Sequence, residues 1–216
     1  MISLCFAIAA GLLVLPTECF AGTENGHEYV DLGLSVKWAT CNVGATAPEK
    51  NGDYYAWGEI QPKDDSGTPY KYYNGTDRSL TKYCTNSSCG TVDNKTTLEA
   101  MDDAAAYNWS GTWRMPTDTE WTELREQCTW TWTSRNGVDG YEVKSKTNGN
   151  SIFLPAAGAR FLTGFSRNAG SYGGYWSSSH FRNPDNAWYV YFYPGDVAKS
   201  SCECRYYGLS VRPVCQ

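Results

Sequence analysis

The chain has 216 residues and a formal net charge of −5. That length gives one large domain or two small ones, and an acidic balance without any basic run or stripe excludes a nucleic-acid footprint. Ser, Thr, Asn and Gly are abundant but interleaved with Trp, Tyr and Phe, the mixture of a folded, loop-rich domain rather than a disordered one.

The chain opens on "MISLCFAIAAGLLVLP", an apolar segment of signal-peptide length and short for a membrane span. Residues 1–21 are expected to be a signal peptide cleaved after Ala21, or an N-terminal apolar anchor, although a basic n-region is missing. Residues 22–27 read as a linker, and residues 28–216 as one domain. Beyond residue 21 stand Cys41, Cys84, Cys89, Cys128, Cys202, Cys204 and Cys215. In an exported chain some of them pair; Cys84 and Cys89 flank a short loop that a disulfide could close. The alternative is that several are buried, reduced side chains acting as small hydrophobes. No Cys-x-x-Cys occurs and histidine is limited to His27 and His180, so no zinc site and no other cofactor is expected.

"HEYVDLGLSVKWAT" predicts two strands, carrying Tyr29, Val30 and Leu32, then Val36 and Trp38. An aromatic strand follows at Tyr54–Trp57. Residues 60–95 read as a long excursion, because Pro, Asp, Gly, Asn and Ser recur there without periodicity. "TTLEAMDDAAAYNW" predicts a first helix with Leu98, Met101 and Ala105 on one side and Asp102 and Asp103 forming a solvated acidic face. "PTDTEWTELREQC" predicts a second helix. Thr117 is its N-cap, Glu120 completes a capping box, and Trp121, Leu124 and Cys128 form its apolar stripe. Tyr141 and Val143 face Ile152 and Leu154 in a hairpin. "GSYGGYWSSS" begins another strand, and two last strands flank Pro194–Gly195–Asp196. The order is a few strands, two helices, then four or five strands: an α+β domain with a twisted antiparallel sheet in its later part.

The phrases "EYVDLGLSVKWATCNVGA", "DYYAWGE", "WRMPTDTEWTEL", "NSIFLPAAG", "YWSSS", "NAWYVYF" and "GLSVRPV" together resemble the Fibrobacter succinogenes major paralogous domain. That family is abundant in secreted and surface proteins of gut bacteria. The resemblance runs from about Glu28 to Cys215 and implies a C-type-lectin-like fold: two helices packed on a small twisted antiparallel sheet, chain ends close together, with a long loop-rich insertion. "WRMPTDTEW" is also similar to a segment of formylglycine-generating enzymes. The cysteine spacing at Cys202 and Cys204 departs from that oxidase pattern, so no enzyme activity is expected. Several variable proteins of diversity-generating retroelements share the implied fold. By that likeness a diversified block here would run from about Ser179 to Tyr207, with Trp176, Trp188, Lys199 and Glu203 as scaffold.

In "NAWYVYFY", Trp188, Val190 and Phe192 alternate with Tyr189, Tyr191 and Tyr193. The first set is expected in the core with Leu209 and Val211, meeting Trp121 and Leu124. The tyrosines are rigid, amphipathic contact groups, and Ser and Asn beside them adapt to polar partners. The candidate ligand-binding residues are therefore His180, Phe181, Asn183, Asp185, Tyr189, Tyr191, Tyr193, Ser200, Ser201, Tyr206 and Tyr207. The alternative places the three tyrosines in a second core layer beneath residues 60–95. Asn183-Pro184-Asp185 reads as a turn rather than a calcium-sugar motif. Arg114 and Arg212 are candidates for structural ion pairs. The expected function is an exported or surface-displayed protein that binds a protein surface or a glycan, with no nucleic acid and with membrane contact only through the N-terminal segment. The alternatives are a structural or adhesive subunit, or an oxidase.

Overall fold

The structure is a computed structural model that describes residues 21–63, 69–75, 79–161 and 166–216. The signal-peptide or anchor expectation falls on residues that lie, Ala21 apart, outside this set.

The chain is α+β, with far more strand than helix. The expected linker is a hairpin: β1 (Ala21–Glu24) pairs antiparallel with β2 (His27–Val30). Asn25 and Gly26 both have positive φ (45° and 81°), the pattern that the right-handed twist of a two-residue hairpin requires. The β2 strand pairs with β3 (Lys37–Ala39), which also takes β14 (Val214–Cys215) on its other side. The first and last described strands therefore share one sheet, ordered β1-β2-β3-β14.

Between β3 and the helices lie β4 (Tyr54–Tyr55) and the excursion. The described part of residues 60–95 holds only isolated bridges, such as Tyr73 with Leu80. Its Tyr70, Tyr72, Leu80, Tyr83 and Cys84 are nonetheless buried. The first helical segment is a 3-10 turn (Ala100–Asp102) followed by α1 (Ala104–Trp109). Leu98 and Ala105 face the core as expected, but Asp102 and Asp103 are 3% exposed rather than solvated, and Met101 is 67% exposed. Asp103 is the N-cap, accepting from the Ala105 and Ala106 N–H groups with one oxygen and from the Met115 N–H with the other. Spacing could not separate an acidic face from an acidic cap, because both place carboxylates beside apolar residues.

The second helix, α2 (Asp118–Gln127), has the expected capping box: the Glu120 N–H donates to Thr117 Oγ1 and the Glu120 carboxylate accepts the Thr117 N–H. Arg114 forks onto the same carboxylate through Nη1 and Nη2, at 2.8 and 2.5 Å. Trp121, Leu124 and Cys128 are buried as expected. Arg212 departs from the ion-pair expectation. It is fully buried, and its guanidinium donates to the Ala39, Thr40 and Phe153 carbonyls and to Asn42 Oδ1.

After α2 come β5 (Cys128–Arg135), β6 (Val138–Ser145) and β7 (Ser151–Pro155), an antiparallel three-stranded sheet. It sets Tyr141 opposite Leu154 and Val143 opposite Ile152, as the hairpin expectation required. Two short strands follow, β8 (Ala159–Arg160) and β9 (Ser166–Arg167). The largest sheet is built from β10 (Gly173–His180), β11 (Asn186–Tyr193), β12 (Asp196–Cys204) and β13 (Leu209–Ser210), in the order β12-β11-β10-β13-β4. More strands follow the helices than the expected four or five, because several are two-residue pairs too short for an alternation to register. Gly173 allows β10 and β11 to meet: a Cβ there would lie 2.2 Å from the Phe192 ring. Pro194 and Gly195 (φ 74°) turn β11 into β12.

Both faces of this sheet are covered. On one side Tyr175, Val190 and Phe192 join Trp38, Trp121, Leu124, Tyr141, Leu154 and Val214. On the other side Trp176, Ala187 and Tyr189 join Trp57, Tyr83, Trp113, Leu209 and Val211. Leu209 and Val211 thus belong to the opposite cluster from Val190 and Phe192, correcting the expected single core. Indole donors cross-link this sheet. Trp57 Nε1 donates to the Ser177 carbonyl (2.8 Å) and Trp176 Nε1 to the Tyr55 carbonyl (2.7 Å), reaching across β13 in both directions. A large apolar body with one satisfied polar tip is what this buried position demands. Among the described residues no helix is long and apolar enough to cross a membrane.

Candidate functional site

The β11 tyrosines do not form a free outer face. Tyr189 is 7% exposed, edge-on to Trp176 at 6.2 Å. Tyr191 and Tyr193 are half-buried and continue the row, with Tyr172 beside them at 6.4 and 5.1 Å. Burial falls along the strand, so Tyr189 belongs to the second core layer while Tyr191 and Tyr193 reach the surface. Trp188, expected in the core, is half-buried and packs edge-on against Phe181 at 4.8 Å. The strand keeps its alternation, but Trp176 and Tyr172 pack on the tyrosine side at Tyr189, and β12 lies at the sheet's edge.

The other candidates scatter over both faces. Ser201 pairs with Tyr189 and Ser200 with Val190, so these two serines point to opposite sides. Asn183 and Asp185 are exposed on the turn between β10 and β11. His180 is 8% exposed, tilted against Trp57 at 6.1 Å, and its Nε2 has no partner. Burial and then the Arg205 charge push its pKa down to about 4, against a favourable bond to the Pro184 carbonyl.

One open groove of about 360 Å³ gathers part of this set. It is lined by Tyr73, Ser79, Ser88, Cys89, Asp185, Cys204 and Tyr206. Of the expected residues it unites Asp185 and Tyr206. Tyr207 stands beside Tyr206 at 4.7 Å and continues to Phe161 at 4.3 Å. The opposite wall is the excursion, whose sequence shows no periodicity. Tyr73 faces Tyr206 at 6.0 Å and joins Tyr70, Tyr72 and Tyr83 in an aromatic run that ends on Trp57. The run "YKYY" at 70–73 was the available signal: aromatic residues inside a polar loop need a surface to pack on.

The excursion is held from below by Asp102. This carboxylate accepts from Lys71 Nζ (2.9 Å), Tyr83 Oη (2.8 Å) and Lys82 Nζ. Burial raises its pKa, but the bonds from Lys82, Tyr72, Lys71 and Tyr83 outweigh burial and hold it well below the usual carboxylate range. Asp103 goes the other way: burial lifts it to about 6 against its three backbone donors. All seven described cysteines are unbonded thiols, Cys84 and Cys89 included. Cys84 is fully buried with its Sγ on the Asn86 carbonyl at 3.1 Å, while Cys89 lies in the groove wall. The short loop thus places the two thiols in different environments. The Cys204 thiol is pushed up by burial and by the negative neighbours Glu203 and Asp185, against a bond to Tyr206.

A second groove, of about 330 Å³, lies along the 3-10 turn and α1, among Leu98, Asp103, Trp113, Arg114 and Met115. It holds none of the expected site residues. Among the described residues no three His, Cys, Asp or Glu side chains come together to hold a metal ion. Comparison with protein-family models, with curated proteins and with solved structures finds no match to this chain.

Proposed function

We propose that this chain is an exported or surface-displayed ligand-binding protein with a C-type-lectin-like fold, and that it takes a protein surface or a glycan in the groove between the excursion and the end of β12. The observation that carries the reading is the composition of that groove: two facing tyrosines, Tyr73 and Tyr206, with Ser79, Ser88 and the Asp185 carboxylate around them. Tyrosine supplies contact area and a polar tip at low entropic cost, and serines and a carboxylate accept and donate at the rim. The half-buried Tyr191 and Tyr193 extend the aromatic surface. Membership of the retroelement variable class is part of the proposal. It is decided in the flanking DNA, by a reverse transcriptase and a near-copy of the coding region for residues 179–212.

The test is a binding screen over glycan and surface-protein arrays with wild type, Tyr206→Ala and Asp185→Ala. A ligand held by wild type and weakened tenfold or more by either variant supports the groove, since central aromatic contacts carry ~2 kcal/mol or more. Equal binding by all three removes it. Self-association in place of binding, lost in the same variants, would reassign the surface to assembly.

A further inference from the structure

A buried cation, Arg205, bonds to both walls of the groove. Arg205 is 1% exposed, and among the described residues it has no carboxylate partner. Its guanidinium lies 4.5 Å from the Trp57 ring and 5.8 Å from Tyr83. A buried charge without a counter-ion is costly unless hydrogen bonds and polarisable faces replace water. Here the two terminal nitrogens are bonded in a directed way, while the buried Nε has no partner. Nη1 donates to the Pro184 carbonyl at 2.8 Å, while Nη2 donates to the Tyr83 and Lys82 carbonyls at 3.2 and 3.4 Å. The backbone is tied as well: the Arg205 N–H donates to the Asp185 carbonyl (3.0 Å), and the Arg205 carbonyl accepts from the Trp57 N–H (2.8 Å).

Those acceptors belong to opposite walls. Lys82 and Tyr83 are in the excursion, which contributes Ser79, Ser88 and Cys89; Pro184 adjoins Asp185. The neighbours of Arg205 in sequence, Cys204 and Tyr206, line the groove themselves. We propose that Arg205 is the positioning residue of this groove: its planar fork ties the excursion to the 181–185 turn and so sets the spacing at which Tyr73 and Tyr206 face each other. Lysine is no substitute, because one ammonium on a flexible stem does not reach carbonyls on two sides in a fixed plane. The proposal rests on the reading of the groove as the ligand site, and its test needs no ligand, so the two fail separately.

The experiment is native-state alkylation with iodoacetamide under reducing conditions, with the rate at each cysteine read by peptide mass spectrometry. Arg205→Met is expected to raise the rates at Cys89 and Cys204 on the order of tenfold, as released walls open locally. Cys128 and Cys215, buried in the opposite cluster and at β14, stay protected. Arg205→Lys gives an intermediate rise and carries the test where the methionine variant does not fold. Unchanged rates at Cys89 and Cys204 in either folded variant would overturn the proposal. So would an equal rise at Cys128 and Cys215, which marks general loosening.

Discussion

The Arg205 guanidinium lies 4.5 Å from the ring of Trp57, and the Trp57 backbone N–H donates to the Arg205 carbonyl at 2.8 Å. The pair joins the segment after β4 to the end of β12, which are the two edges of the five-stranded sheet. The ring replaces part of the water that the cation has lost, and its Nε1 holds the Ser177 carbonyl. Trp57→Leu removes the aromatic face and the donor together and leaves part of the volume unfilled. It is expected to cost about 3–5 kcal/mol of unfolding free energy, read from the urea midpoint at constant m-value. A cost below about 1 kcal/mol would show that the cation is stabilised from elsewhere.

Between pH 7 and pH 4 the two buried groups His180 and Asp103 should act on stability in opposite directions. His180 has its pKa lowered to about 4 by burial and by Arg205. The unfolded chain therefore binds that proton first, and stability is lost as pH falls from about 6.5 to about 4. Asp103 has its pKa raised to about 6 by burial. The folded chain binds that proton first, and stability is gained as pH falls from about 6 toward 3.8, the ordinary value. The two slopes oppose each other in wild type, and replacing either group unmasks the other. In urea titrations at pH 7, 5 and 4, stability relative to wild type should rise toward acid in His180→Gln. It should fall toward acid in Asp103→Asn, which keeps an oxygen for the cap. Parallel profiles for the three proteins would contradict both assignments. Below pH 4, protonation of Asp102, held low by its lysine and tyrosine donors, removes further stability.

Tyrosines of the same type are expected to divide into core and surface. Tyr189→Ala, at a position 7% exposed, should cost about 3 kcal/mol or more. Tyr206→Ala, on the half-buried groove wall, should cost no more than about 1 kcal/mol. Thermal melts of the two variants check this. Equal melting temperatures would mean that the strand is not covered as described.

Thiol titration gives a further check. Cys84, Cys128 and Cys215 are buried, and Cys41, Cys89, Cys202 and Cys204 are partly exposed. From Cys41 onward, the native protein should expose four thiols to a disulfide reagent and the denatured protein all seven. A Cys84–Cys89 cross-linked peptide in a non-reducing digest would contradict the placement of Cys84.

Local chemistry alone determined several elements of this protein. The capping box at Thr117 and Glu120, the stripe of Trp121, Leu124 and Cys128, the pairing of Tyr141 and Val143 with Leu154 and Ile152, and the turn at Pro194–Gly195 all follow from neighbours within one helix, hairpin or turn. The α+β class follows from their order. The tertiary structure decided what covers each face. Alternation divides β11 into two sets of side chains, but it does not say that Tyr189 is buried while Tyr191 and Tyr193 stay half-open. Spacing puts Asp102 and Asp103 side by side, but only contacts with Lys71, Lys82 and Tyr83 on one hand and with the Met115 N–H on the other separate a buried ion from a raised-pKa cap. The groove depends on residues more than a hundred positions apart, Tyr73 and Tyr206, held by a cation whose partners are backbone carbonyls. A carbonyl is present at every residue, so side-chain identity carries no trace of which ones Arg205 meets.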